Sequence, residues 1–340
     1  MIGNSIAGIL GIGGLVNSTA IAVSHTTTPY ISAYPWSATG FGTKYSNPAT
    51  LPGTSGNGVS FSPSKDYIAV AHSSSPTISA YPWLAAGFGT KVANPATGTG
   101  FVNGASVAFS PLGNYIAVGG TTTNFIAAYA WSAGFGTKIT NPATLPTNNG
   151  FGVAWKPQQD AIAVAHASSP YVSAYPWTTG FGTKYANPAT LPTGTGNGVA
   201  FTPAGDAIAI AHTTPPFISA YPWSAGFGTK YANPATLPGG QGNGVAFNPA
   251  GTVIAVAHNG SPAVSAYPWS AGFGTKYANP VTLPTIAGTS VAFTISGADI
   301  AVAHDSSPFV TAYPWSLGFG TKYANPATLP TGGGLGVAFN

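Results

Sequence analysis

One unit of about 46 residues, copied seven times along the chain, constrains this sequence more than any other feature. The tetrapeptide Ala-Tyr-Pro-Trp, once Ala-Tyr-Ala-Trp, ends at Trp36, Trp83, Trp131, Trp177, Trp223, Trp269 and Trp315, at intervals of 46 to 48 residues. A second marker, Gly-Val-Ala-Phe with small variations, begins at Gly58, Ser106, Gly152, Gly198, Gly244, Ser290 and Gly336. A 340-residue chain has room for two average domains. The repeat makes it one array of a single supersecondary unit.

Within a unit the apolar pattern has the period of strands. Residues 198–201 are a short first run, and the turn Thr-Pro-Ala-Gly follows. Residues 206–212 alternate large and small, which places Ile208, Ile210 and His212 on one face. A third run, residues 217–223, is rich in aromatic and β-branched residues, and Pro222 ends or bends it. Thr229, Lys230 and Tyr231 form a weaker fourth run, and Asn-Pro-Ala-Thr-Leu-Pro links to the next unit. Gly, Pro, Asn and Ser clusters bound every run, and no stretch carries a sustained helical period. The spacing therefore predicts an all-β fold, a seven-bladed β-propeller with four antiparallel strands per blade.

An open solenoid needs atypical capping repeats, whereas here the two ends complement each other. The chain stops just after a seventh Gly-Val-Ala-Phe (residues 336–339), and the first full match at the other end is a second strand, residues 21–25. The C-terminal strand is expected to complete the first blade and close the ring. Residues 11–14 lie at the right spacing for a degenerate first strand but lack its Phe. The expected organisation is an apolar arm over residues 1–16 and one propeller over 17–340. The arm is too short to span a membrane and lacks the basic start of a secretory signal. It packs on its own propeller or inserts into a neighbouring subunit.

The Gly-Val-Ala-Phe-x-Pro-x-Gly start followed by Ile-Ala-Val-Ala-His resembles WD-type and related bacterial propeller repeats, without their Trp-Asp and Gly-His dipeptides. The longer unit, with Asn-Pro-Ala-Thr-Leu-Pro-Thr-Gly, is similar to repeats of structural proteins of tailed bacteriophages over residues 17–340. That resemblance implies a non-enzymatic virion structural or decoration protein, located in the particle and in the host cytoplasm during assembly, with other virion subunits as partners. An alternative is a lectin-like adhesin that binds host-surface glycan multivalently. A further alternative is a propeller enzyme of lactonase type, which would need a divalent ion in the central channel.

Charge narrows the chemistry. The chain has nine Lys, five Asp and neither Arg nor Glu, where an average chain of this length carries about 25% charged residues. Nine dispersed lysines are a poor match for nucleic acid, and neither a nucleic-acid partner nor a membrane span is expected. Without cysteine there is no disulfide or thiolate zinc site. No cofactor or metal is called for.

Seven lysines share one repeat position in the outermost run: Lys44, Lys91, Lys138, Lys184, Lys230, Lys276 and Lys322. They protect an exposed edge and keep the protein soluble, or they touch an anionic surface such as acidic glycan or a neighbouring subunit. His25, His72, His166, His212, His258 and His304 repeat as well, with Gly120 in the third unit. One histidine per blade cannot converge on a metal, so each is expected to cap the turn that follows. Asp66, Asp160, Asp206 and Asp299 are placed together at the turn entering the second strand. This leaves no paired carboxylates for glycoside hydrolysis and no expected catalytic residue. The repeated tyrosines (Tyr34, Tyr81, Tyr129, Tyr175, Tyr221, Tyr267, Tyr313) fill space between blades or stack on sugars. Phe41, Phe88, Phe135, Phe181, Phe227, Phe273 and Phe319, in the Gly-Phe-Gly turn, are the better contact candidates, together with the lysines.

Overall fold

The computed structural model describes residues 19–340. Both the apolar arm and the possible strand at residues 11–14 lie outside them. Among the described residues all regular structure is β, arranged as seven antiparallel sheets of three or four strands. Each sheet corresponds to one unit. In the fifth, the strands are Gly196–Phe201, Ala207–His212 and Ile218–Pro222, and each pairs with the next.

The alternation of large and small residues explains how the sheets stack. Ile208 and Ile210 lie on one face with Val199, Phe201, Tyr221 and Trp223, and that face meets Ala161, Ala163, Ala165 and Ala174 of the preceding sheet. The opposite face, Ala207, Ala209, Ala211 and Ala220, receives Ile254, Val256, Tyr267 and Trp269 of the following sheet. Bulky face against alanine face lets two twisted sheets interdigitate at about 10 Å. The same arrangement recurs at every junction. It includes the last, where Ala301, Ala303, Val310 and Ala312 meet Ile21, Val23, Tyr34 and Trp36.

The C-terminal strand Gly334–Phe339 pairs antiparallel with Ala20–His25, placing Val337 opposite Val23 and Phe339 opposite Ile21. The resulting sheet contains both ends of the described chain.

A fourth strand in every unit is not what forms. Only three sheets have one: Gly40–Phe41, Gly87–Phe88 and Phe135–Lys138. In the other four it contracts to a single bridge, such as Trp223 to Phe227. Proline limits this edge but does not set it alone. The first and second units form a two-residue strand with Pro35 and Pro82 in place and a turn one residue longer, Ser37-Ala38-Thr39-Gly40 against Ser224-Ala225-Gly226. The Trp36 N–H donates inward to Thr19, whereas the Pro35 carbonyl faces outward and accepts from Gly42 N–H. Any N–H on the proline position would also face outward, and proline has none. The third unit has Ala130 there, and its outer strand is the longest.

The innermost strands carry a register shift near their start, as between Gly196 and Gly198, which leaves residue 197 outside the ladder. Glycine is required at 196, because a Cβ there would lie 2.3 Å from the Tyr171 carbonyl oxygen. The bulge turns residue 197 toward the space enclosed by the seven inner strands.

Candidate active site

The six histidines are fully buried. Each places Nε2 within 2.8–3.0 Å of a hydroxyl seven residues on: Ser32, Ser79, Ser173, Ser219, Ser265 or Thr311. His304 Nδ1 lies 2.7 Å from the Ser306 carbonyl. A carbonyl only accepts, so Nδ1 holds the proton and Nε2 accepts from Thr311. Burial lowers the pKa of His25, His72, His166, His212 and His258 to about 4, and that of His304 in the same direction. These are buried, neutral side chains bound through Nε2 to the adjacent third strand rather than to the turn that follows, and His304 adds a bond to its turn. In the third unit the Phe101 ring takes the place, so that a Cβ on Gly120 would lie 2.4 Å from it.

The contact candidates are distributed one to a sheet. Phe41, Phe88, Phe135, Phe181, Phe227, Phe273 and Phe319 each pack edge-on against the tryptophan of their own unit, with centroids 4.9–5.2 Å apart. They are half-buried parts of the blade edge. Six of the lysines donate to the asparagine three residues on, as Lys230 does to Asn233 and Lys91 to Asn94. Lys138 instead donates to the carbonyls of Gly98 and Thr99. Burial lowers the pKa of all seven. The repeated tyrosines are fully buried, and each hydroxyl donates to the linker of the preceding unit, as Tyr221 does to the Thr190 carbonyl at 2.8 Å.

The inner strands enclose a cavity of about 180 Å³ whose polar lining includes Asn57, Asn197, Asn243 and Thr289. Their donors are committed to the next sheet: Asn197 Nδ2 to the Gly242 carbonyl, Asn243 Nδ2 to that of Gly288, Thr289 Oγ1 to that of Gly334. No carboxylate lines it. A hard divalent cation takes several oxygens with carboxylates among them, so this neutral ring does not fit one, and the channel ion expected of a lactonase-type propeller has no site among these residues.

The aspartates divide three to one. Asp66 accepts from Ser62, Asp206 from Thr202, and Asp160 pairs with Lys156 at 2.9 Å, all within their own turns. Asp299 stands one position later in its unit, in Thr294-Ile-Ser-Gly-Ala-Asp299, where the fifth unit has Thr202-Pro-Ala-Gly-Asp206. That single step carries it from the turn into the first position of a strand and turns its side chain toward the neighbouring sheet. It is 8% exposed. Oδ2 accepts from Trp36 Nε1 at 3.0 Å and Oδ1 from the Tyr323 hydroxyl at 2.7 Å. Burial, with Asp299 adding to it, pushes the Tyr323 hydroxyl up to about 12. These groups line a cleft of about 400 Å³ with Ser37, Thr294 and Ser296, where the first and last units meet. Grouping all four aspartates as turn residues missed this site. The one-residue offset was the signal.

No protein-family model matches the chain, and no curated protein matches it. Solved structures do. A Bacteroides fragilis protein provisionally identified as a 6-phosphogluconolactonase aligns with a TM-score of 0.74 at 12% identity, over 96% of this chain and 98% of its own. The periplasmic gluconolactonase of Pseudomonas aeruginosa gives 0.70 at 13%, over 95% and 99%. The hydrazine synthase structure from Kuenenia stuttgartiensis gives 0.66 at 13%, over 92% and 100%. At such identities the likeness is one of fold.

These comparisons correct the functional expectation. They offer no link to phage particles or WD repeats, and the three proteins just described are named as enzymes, two of them as lactonases, while a further match from Desulfotomaculum acetoxidans is of unknown function. The reading as a non-enzymatic virion structural protein is overturned. The residue pattern misled because a nearly uniform repeat looks like a scaffold, while one displaced carboxylate is easily averaged away.

Proposed function

We propose that the chain is a closed seven-bladed propeller and a lactonase-type hydrolase of an unphosphorylated lactone, with its reacting centre in the cleft between the first and last blades. The observation that carries the reading is Asp299, the carboxylate that leaves the repeat and faces a cleft at the seam. Support for the reaction class comes from the fold shared with proteins named as lactonases.

In this reading the Asp299 carboxylate takes a proton from a water molecule as its oxygen attacks the lactone carbonyl. The same proton then passes to the ring oxygen as the C–O bond breaks, giving the open hydroxy acid. The Trp36 and Tyr323 donors orient the carboxylate, and each of its oxygens keeps a lone pair for the water. The Ser37 and Ser296 hydroxyls lie on the same wall as donors toward the carbonyl oxygen. The charged group in the cleft is an anion and the chain has no arginine, so a phosphate on the substrate would be repelled.

A pH-stat assay of purified protein on unphosphorylated and phosphorylated aldonolactones tests this. Acid release above the spontaneous rate is expected with the unphosphorylated substrates alone. A preference for the phosphorylated ones, or no rate above background with any, defeats the proposal.

A further inference from the structure

The charges are segregated between the two ends of the strands. The second strands run from the end that carries the aspartate turns to the end that carries the histidines, about 20 Å for six residues at the usual rise. Asp66, Asp160, Asp206, Asp299, Lys65 and Lys156 all lie at their start. Asp305 follows His304 at the other end. The seven ring lysines stand on the chain that climbs from the outer bridge toward the histidine end. Tyr231 N–H, next to Lys230, donates to the mid-strand Ala220 carbonyl. Six of the seven are close enough to the histidine of their own unit to act, after burial, in lowering its pKa. One half of the molecule thus has seven lysines against one aspartate, and the other two lysines against four aspartates. The acceptors that hold the ring lysines are neutral amides and carbonyls, so their charge is uncompensated.

Apolar side chains are exposed in the same ring. The segment from Lys276 to Ile286 begins at a ring lysine and ends beside the next histidine, where Thr285 Oγ1 lies 2.8 Å from His304 Nδ1. Within it Val281 is 100% exposed, Ile286 68% and Leu283 41%, and the equivalent Leu237 of the preceding linker is 38% exposed. At the other end, Leu84, Leu112, Ile295 and Leu317 are exposed too, but on the half that carries the surplus of aspartate.

We propose that the lysine half of the disc docks on an anionic lipid surface, with the segment around Val281, Leu283 and Ile286 entering the headgroup region. The seven lysines share one repeat position, so they recur around the ring on the same half of the disc. Each lysine near an anionic bilayer strengthens binding about fivefold, and exposed aliphatic side chains beside them add burial. An acidic polysaccharide would use the charge and gain nothing from Val281 or Ile286. This inference does not depend on the lactonase reading.

Cosedimentation of the full chain with vesicles tests it, using phosphatidylcholine alone and equal parts phosphatidylcholine and phosphatidylglycerol. Binding to the anionic vesicles only, declining with added salt, is expected. Changing Lys230, Lys276 and Lys322 together to Gln should weaken it about a hundredfold, and Val281→Ser with Ile286→Ser should weaken it further at high salt. The wild-type salt dependence stands even if a variant fails to fold. Absence of binding, equal binding to neutral vesicles, an unchanged lysine variant, or binding to heparin without binding to anionic vesicles would each overturn the proposal.

Discussion

Six imidazoles, each held neutral by burial, give the protein a built-in sensitivity to acid. Five have a folded-state pKa of about 4, below the ordinary 6.5 of an unfolded chain. Between those values the unfolded chain binds more protons, so stability is complete above pH 6.5 and is lost as pH falls toward 4. Each histidine contributes up to about 3 kcal/mol to that loss. Urea midpoints measured from pH 7.5 to 4 should fall steeply below 6.5; a flat profile would mean the imidazoles reach protons in the folded state. The third unit shows that the position is structural, since Gly120 and the Phe101 ring satisfy the same space without an imidazole. At this scale the one-per-unit spacing of the histidines was visible in the sequence, and it distributes them one to a sheet. The sequence was read poorly for Asp299, because turn chemistry that fits Asp206 was extended to a residue one place farther along.

At the scale of the strand and sheet, the alternation Ile-Ala-Ile-Ala determines the packing. Ala209 is fully buried on the face that receives the next blade. Enlarging it should be harmful, with Ala209→Leu losing about 1–3 kcal/mol through overpacking. Emptying the facing side, as in Trp269→Ala, should lose about 3–5 kcal/mol. Denaturant titration of both variants checks this, and a neutral Ala209→Leu would show that the interface has slack. Strand positions and the inward face were legible because period-two alternation is a direct consequence of burial on a pleated surface. The outer strand was not. Its extent depends partly on one outward-facing N–H, which the repeated proline removes and Ala130 keeps, and partly on the turn length that gives the first two units a two-residue strand despite Pro35 and Pro82.

Across the whole molecule, the first sheet joins residues separated by more than 300 positions, with the inner strand Gly334–Phe339 lying against Ala20–His25. Asn340 Oδ1 accepts from the Ala20 N–H at 2.7 Å and extends that join by one more residue. Removing residues 334–340 should therefore expose the inner edge of the first sheet, lower the melting temperature of the entire protein and open residues 20–41 to protease. Cleavage confined to the new C-terminus, with an unchanged melting temperature, would contradict closure by this strand. The complementary ends made this readable from the sequence. The function was less so, since a fold fixes a shape and leaves the chemistry to a site, and the site we propose is one displaced carboxylate at the seam.

Its role is decided most directly by kcat/KM toward an unphosphorylated aldonolactone for the wild type, Asp299→Asn and Asp206→Asn. The amide in Asp299→Asn is nearly the size of the carboxylate and still accepts a hydrogen bond, but it cannot serve as a base. It should lower kcat/KM by about a hundredfold or more, while Asp206→Asn, which alters an equivalent turn outside the cleft, should leave it unchanged. Equal activity in the two variants would contradict the account.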